Sequence, residues 1–553
     1  MQNFCDMETL VSQNPASALI SGFLNSRFTI RTNRRLWVPR VLICLMALFG
    51  AAGSAQAQNP HDGLTWTGPT TCLQCHEEEA IEVHGSVMYQ WHGDAPEVVN
   101  GPPAQGKISG GVNSYCINIT GNWAGCGGCH IGLGAMPGPD PTPAELANID
   151  CMICHQQDYR RKKEGGVFVP DLAAMTVTMD EAVQTVHPPE RYNCLQCHAK
   201  AGGGDAVKRG DLALAQIATT DSDFDIHMAV TGADLKCQEC HTTTDHRVAG
   251  RGSDLRPTDS DVVIDCTNCH ENMATQHPGA TRRRHLARVA CQTCHIATYA
   301  KNASDTAATE ATETHRTWLE THSTAPPYHP ASDKLNNLTP VYRFWNGTSR
   351  NYLLHETAVI DPATGRYPTS RPVGHVSNPD AKLYAFKYKT AEQPITNDTS
   401  QLIALDTSVF FATHDAQAST EQGLQNMGLS PSTAYSWIET DTLQMLNHQV
   451  GNEDSALACD DCHGAANGRI DLQEDHGYKM WGPTDTVCRQ CHGPETMPSF
   501  EEVHSIHVTE EGFDCSWCHG FARPERGLEP SNTLFRDTFD AGNTFAWTET
   551  EPW

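Results

Sequence analysis

The sequence predicts a mainly α chain with few short strands and much irregular structure. Three observations predict it. First, cysteine punctuates the chain: twenty of its 23 cysteines fall into ten Cys-x-x-Cys pairs. Second, the first seven pairs follow one another at intervals of only 25 to 54 residues, room for short helices and loops. Third, helix-like stretches recur in those intervals, at Met179–Val186 and Ala206–Ile217, and little of the region alternates as strands do.

Every pair is followed directly by histidine. The ten groups are Cys72, Cys75 and His76; Cys126, Cys129 and His130; Cys151, Cys154 and His155; Cys194, Cys197 and His198; Cys237, Cys240 and His241; Cys266, Cys269 and His270; Cys291, Cys294 and His295; Cys459, Cys462 and His463; Cys488, Cys491 and His492; and Cys515, Cys518 and His519. Histidine makes up 28 of 553 residues, so ten hits in ten pairs are not chance. Zinc sites also use paired cysteines but do not require histidine after the second one every time. The spacing is that of covalent haem c: two thiols add to the haem vinyl groups and the adjacent imidazole reaches the iron. About ten haems would then supply much of the hydrophobic core, the plan of a multihaem cytochrome c. Axial ligands set potential and reactivity.

In chain order, residues 1–57 read as an export signal. Arg31, Arg34, Arg35 and Arg40 precede the apolar run VLICLMALFGAAG, and Ala55-Gln56-Ala57 offers a cleavage site. Haem c is attached outside the bacterial cytoplasm, so a periplasmic or extracellular location agrees with the motifs, with peripheral or no membrane contact. Residues 58–300 hold seven motifs and the expected active site. Residues 301–458 hold none; this aromatic-rich segment is expected to wrap the haem core, with a strand at Lys382–Lys389 and a helix at Ser430–Asn447. Three motifs follow in 459–525, and 526–553 is a tail.

Lys+Arg total 38 against Asp+Glu 66, a net charge of −28. That balance excludes nucleic acid as a partner and fits a positively charged redox partner protein or a quinol-linked donor. Small anions would enter through a local basic patch. One such patch is Arg282-Arg283-Arg284-His285 with Arg288.

Cleavage of the leader removes Cys5 and Cys44. Cys116, ten residues before Cys126, is then left outside every motif. An unpaired thiol in an exported chain marks either a buried small residue or a reactive group. The haem of Cys126, Cys129 and His130 is therefore the candidate reaction centre. Eighteen histidines lie outside the motifs. His84, His227, His246, His277, His285, His448, His504 and His507 are the candidate sixth ligands, and His61, His92, His315, His322 and His329 stand in looser contexts.

Several stretches resemble the octahaem tetrathionate reductase family of multihaem cytochromes c: NSYCINITGNWAGCGGCHIGLG (113–134), NIDCMICH (148–155), DIHMAVTGADLKCQECHTTTDHRVAGRG (225–252), AKLYAFKYKTAEQP (381–394) and LNHQVGNEDSALACDDCHGAANGRIDL (446–472). The resemblance spans roughly 72–480. It implies a chain of bis-histidine haems plus one haem, at the second motif, ligated by a displaceable lysine. By that resemblance Lys162 or Lys163 supplies the amine, and Asn113 and Cys116 line the distal side. The chain departs from the family by two extra C-terminal motifs, and by Met88 and Arg209 where histidines are expected. Two functions follow as expectations: an oxidoreductase reducing a small sulfur or nitrogen oxyanion (tetrathionate, nitrite or hydroxylamine), or an electron conduit without chemistry of its own.

Overall fold

The structure, a computed structural model, describes residues 59–251, 262–277, 285–308, 311–376, 378–458, 461–462, 469–470, 479–480, 500–511 and 519–520. The export signal, Arg282–Arg284 and the tail lie outside the described residues. Of the last three motifs only Cys462 and His519 lie within them.

The described residues between 59 and 300 form short helices joined by turns and three antiparallel strand pairs: β1 (His92–Asp94) with β2 (Ala104–Gly106) across a longer loop, and the tight hairpins β3 (Arg161–Glu164) with β4 (Val167–Pro170) and β5 (Thr243–Thr244) with β6 (Arg247–Val248). The expected helix at Met179–Val186 is present as Met179–Gln184. Thr178 caps it, accepting from the Glu181 amide while Glu181 returns to the Thr178 amide. The expected helix at Ala206–Ile217 shrinks to a 3₁₀ turn, Leu214–Ile217. Ala206 and Gly210 take left-handed backbone, φ 56° and 73°, which no helix accommodates.

Residues 312–445 build a seven-stranded sheet: β7 (Thr312–Thr321), β8 (Pro330–Leu335), β9 (Val341–Trp345), β10 (Ser349–Asn351), β11 (Tyr367–Pro372), β12 (Lys382–Thr396) and β13 (Tyr435–Met445). The order is β10-β11-β13-β12-β7-β8, with β9 also on β12. The long central β12 runs antiparallel to β13 from Phe386↔Met445 to Thr396↔Tyr435, and parallel to β7 at Thr390↔His315. Helix and strand therefore hold nearly equal shares, and the expectation of a mainly α chain is corrected. The expected strand at Lys382–Lys389 is the start of β12. The expected helix at Ser430–Asn447 is wrong: Ser430 opens a turn, its carbonyl accepting from the Thr433 amide, and β13 follows. Pairing on both sides, with β12 and β11, outweighs local helix preference.

The sheet carries the core against which the Cys116 segment is set. Trp318, Ile403, Leu405, Phe410 and Leu424 are fully buried and pack with Val112 and Ile117, and Cys116 lies against them. Trp318 also donates its indole N–H to the Tyr115 carbonyl (3.2 Å). Gly121 is required here, because a Cβ would sit 2.2 Å from the Leu405 carbonyl oxygen. Among the described residues, no helix is long and apolar enough to cross a membrane.

Candidate functional site

Each described motif lies on one helical turn, as in Met152–His155, Arg191–His198, Cys237–Cys240 and Cys291–His295. The histidine amide donates to the first cysteine's carbonyl: His76 to Cys72 (2.9 Å), His130 to Cys126 (3.2 Å), His155 to Cys151 (3.1 Å), His241 to Cys237 (2.8 Å) and His270 to Cys266 (2.9 Å). Residues i, i+3 and i+4 share a helix face. Both thiols and the imidazole therefore meet one object, as a covalently held macrocycle requires.

The histidines test whether such a group fits. Two imidazoles bound to one metal at about 2 Å each stand about 6 Å apart between ring centres. His76 and His61 are 6.1 Å apart, His270 and His227 6.0 Å, His241 and His448 6.2 Å, and His295 and His277 6.1 Å. Four facing pairs thus hold the separation that a bis-histidine iron needs. His227, His277 and His448 are the sequence candidates; His61 had been ranked below them. His246 lies close enough to His155 to act on its charge. His84 is buried beside Tyr89, and Gln90 contacts its Nε2 at 3.3 Å. Met88 packs into the same apolar cluster. His285 is half-buried, and His504 and His507 lie on the helical turns between Phe500 and Glu510. His92 binds Ser109 and His315 binds Thr390. Arg209 pairs with Asp211 at 3.2 Å, and its charge acts on His198 and His241.

The motifs also touch one another. Cys72 lies close enough to Cys151 for the two sulfurs to act on one another, as do Cys129 and Cys197, Cys194 and Cys237, and Cys266 and Cys291. Cys154 acts on Cys194 and Cys197, Cys269 acts on Cys240, and both Cys294 and Cys462 act on Tyr342. The attachment points therefore run without a break from the first motif through the third, fourth, fifth, sixth and seventh to the eighth. The second joins this line at the fourth.

The second motif differs from the paired ones. Among the described residues no imidazole faces His130. Tyr89, Trp91 and Trp123 surround it at 5.0, 5.1 and 5.2 Å between ring centres. Its Nε2 meets the Tyr89 carbonyl at 2.7 Å, and its Nδ1 is buried with no partner. Burial lowers its basicity. Burial also pushes the Cys126 thiol up to about 11, with charge on Cys116 acting in the same direction. Cys116 therefore stands at the second attachment site.

Asn113 builds the turn that presents Cys116. Its side-chain oxygen accepts from the Tyr115 (2.8 Å) and Cys116 (3.1 Å) amides, and its Nδ2 donates to the Ile117 carbonyl (3.1 Å). Ile117 is left-handed at φ 59°. Asn113 is thus engaged in positioning the loop.

Tyr115 is buried, and four basic side chains surround its ring: Lys389 at 4.4 Å, Arg316 at 5.4 Å, and Lys208 and Lys387 at 5.7 Å. Arg316 donates to the Cys116 sulfur at 3.7 Å. Glu313, wholly buried, binds Arg316 at 2.7 Å and Lys389 at 3.2 Å. Lys387 donates to Thr312, Tyr115 and the Val207 and Lys208 carbonyls. Burial pulls the Lys389 amine down to about 8, against the pull of Glu313, and Lys387 falls well below its ordinary value. Sequence reasoning missed these cations. Arg316 comes from β7 and Lys387 and Lys389 from β12, which the parallel register brings together beneath residues 113–117, and Lys208 comes from the turn before Leu214.

The structure does not bring Lys162 and Lys163 to this place. Both are exposed on β3, where Lys162 pairs with Glu164 at 3.5 Å. Such exposure gives an amine no help in losing its proton. Arg161 is the residue of that hairpin which reaches the second motif, donating to the carbonyls of Gly127, Gly128, His130 and Gly132 and to Asp150.

Attachment triads on helical turns and facing imidazoles define a c-type cytochrome with many haems. Comparison with known proteins agrees. Residues 330–466 match the family described as bacterial cytochrome c. A crystal structure of octaheme cytochrome c from Shewanella oneidensis is similar to 75% of this chain and 96% of its own, with a TM-score of 0.63 and 26% identity. An uncharacterised protein of Archaeoglobus fulgidus is 28% identical over 234 residues, covering 33% of this chain and 76% of that protein. These matches, together with the motifs, support a multihaem c-type cytochrome with covalently bound haem c.

Proposed function

We propose that this chain is an exported decahaem cytochrome c that reduces a small sulfur or nitrogen oxyanion at the second motif. One observation carries the reading: four basic side chains converge on Tyr115 beside Cys116 in a chain of net charge −28. Buried positive charge is costly unless an anion or a partner compensates it. Glu313 pairs with both Arg316 and Lys389 and offsets part of this charge; the cluster as a whole favours an incoming anion.

When bound, the haems supply electrons singly, and at the second motif an iron face. The chain's own residues orient and hold. Arg316 and Lys389 attract an anion such as tetrathionate. Cys116 attacks one central sulfur, breaking the sulfur–sulfur bond and releasing thiosulfate. Two electrons then free the second thiosulfate and restore the cysteine sulfur. For nitrite or hydroxylamine the same cations orient the substrate. The unbroken run of attachment sites provides the feed from a redox partner protein or quinol-linked donor. Such a run would equally serve a conduit, and what separates the two readings is an accessible second haem.

The displaceable amine is assigned by face. Lys107 stacks on Trp91 (4.2 Å), which packs on His130, so it belongs to the proximal side. Lys208 lies over Tyr115 on the Cys116 side. Lys208→Ala is expected to abolish a lysine–iron signature in the near-infrared magnetic circular dichroism of the oxidised protein. Lys162→Ala with Lys163→Ala should leave that spectrum as it is. The reverse pattern would refute the assignment.

The site should also weaken in alkali. Lys389 carries its charge below about 8 and loses it above. The KM for tetrathionate is therefore expected to rise severalfold between pH 7 and 9. A flat profile would show that Lys389 does not attract the substrate.

A further inference from the structure

We propose that Asp211 makes the fifth haem a low-potential step in the line, an uphill point between the sixth haem and the junction with the second motif. The inference rests on the reading that His241 and His448 share one iron.

Asp211 is wholly buried and collects four donors. It accepts from the amides of Asn447 (2.9 Å) and His448 (3.1 Å), contacts His448 Nδ1 at 3.1 Å and pairs with Arg209 at 3.2 Å. The His448 and His241 rings stand 6.2 Å apart between centres, their planes 23° from parallel. A carboxylate on the outer nitrogen of a metal-bound imidazole raises the basicity of the ligand. A more basic ligand stabilises the oxidised metal and lowers the potential.

The other imidazoles are held differently. His241 meets the Ala249 carbonyl, His277 the Met273 carbonyl and His155 the His187 carbonyl, all neutral acceptors. His246 contacts Glu82 at 2.8 Å, but both side chains are about one-third exposed, where water screens the pair. His448 is alone among these in meeting a buried carboxylate. Arg209 grips the same carboxylate and tempers it. This gives a purpose to an arginine that replaces an expected histidine.

Place in the line adds the consequence. Cys237 lies near Cys194, and Cys240 near Cys269, so the fifth motif stands between the fourth and the sixth. The fourth is where the second motif joins. A low-potential member just before that junction sets the uphill step that limits electron passage between the second motif and the sixth, seventh and eighth, in either direction.

The test is potentiometry of the full haem-loaded chain, followed by electron paramagnetic resonance. Asp211→Asn is expected to keep every haem and to raise one component by at least a tenfold change in its oxidised-to-reduced ratio, about 59 mV for one electron. The g-values of that same haem should move with it. Arg209→Gln is expected to lower the same component, and it decides the matter if Asp211→Asn fails to fold. Unmoved potentials in both variants would overturn the inference. His448→Ala separates the underlying reading. Loss of one bis-histidine signal supports the shared iron even where Asp211 proves inert. An unchanged spectrum would overturn both.

Discussion

Cys116→Ala is expected to lower turnover of tetrathionate and nitrite by on the order of 100-fold, with haem content unchanged. The sulfur belongs to no attachment pair, so its loss leaves every covalent link in place. It lies beside Cys126 and takes a hydrogen bond from Arg316. The turn around it is held by Asn113 and the Tyr115 backbone rather than by the thiol, so its shape should survive. Steady-state rates with reduced viologen, set against haem per chain, check this. Unchanged turnover would remove Cys116 from the site.

Glu313→Gln is expected to cost about 3–5 kcal/mol of stability, because it leaves Arg316 and Lys389 buried without their counter-charge. Burial raises the carboxyl's pKa, yet Arg316 and Lys389 overcome it and hold it below the ordinary value. The contribution is therefore present above the unfolded value of about 4.3 and lost as pH falls through the lower folded value. Denaturation followed by Soret circular dichroism at pH 7 and in acid measures both. A loss under about 1 kcal/mol at pH 7 would mean that solvent reaches these groups.

Much of the site was legible in the sequence because covalent chemistry fixes spacing. A Cys-x-x-Cys-His run is readable wherever it falls, and a single cysteine outside ten such runs stands out. The cations were not legible. In KLYAFKYK the lysines at 387 and 389 stand where alternation assigns a solvent face, yet both are fully buried. Their partners are the Ser114, Val207 and Lys208 carbonyls and Glu313, all distant in sequence. The setting of Lys162 and Lys163 was not legible either. Local likeness placed them near the third motif, but β3 turns them outward and sends Arg161 inward. The sheet was half visible: β12 carries aromatic and apolar residues, whereas β13 begins after a Ser-Pro pair that also opens helices.

The most direct measurement is the response of the oxidised protein to a small exogenous ligand. Cyanide or nitrite is titrated in while electron paramagnetic resonance counts the haems that change. One responding haem in ten is expected, and Lys208→Ala should strengthen its binding. Ten low-spin haems that ignore the ligand would contradict the catalytic site and leave the chain an electron carrier.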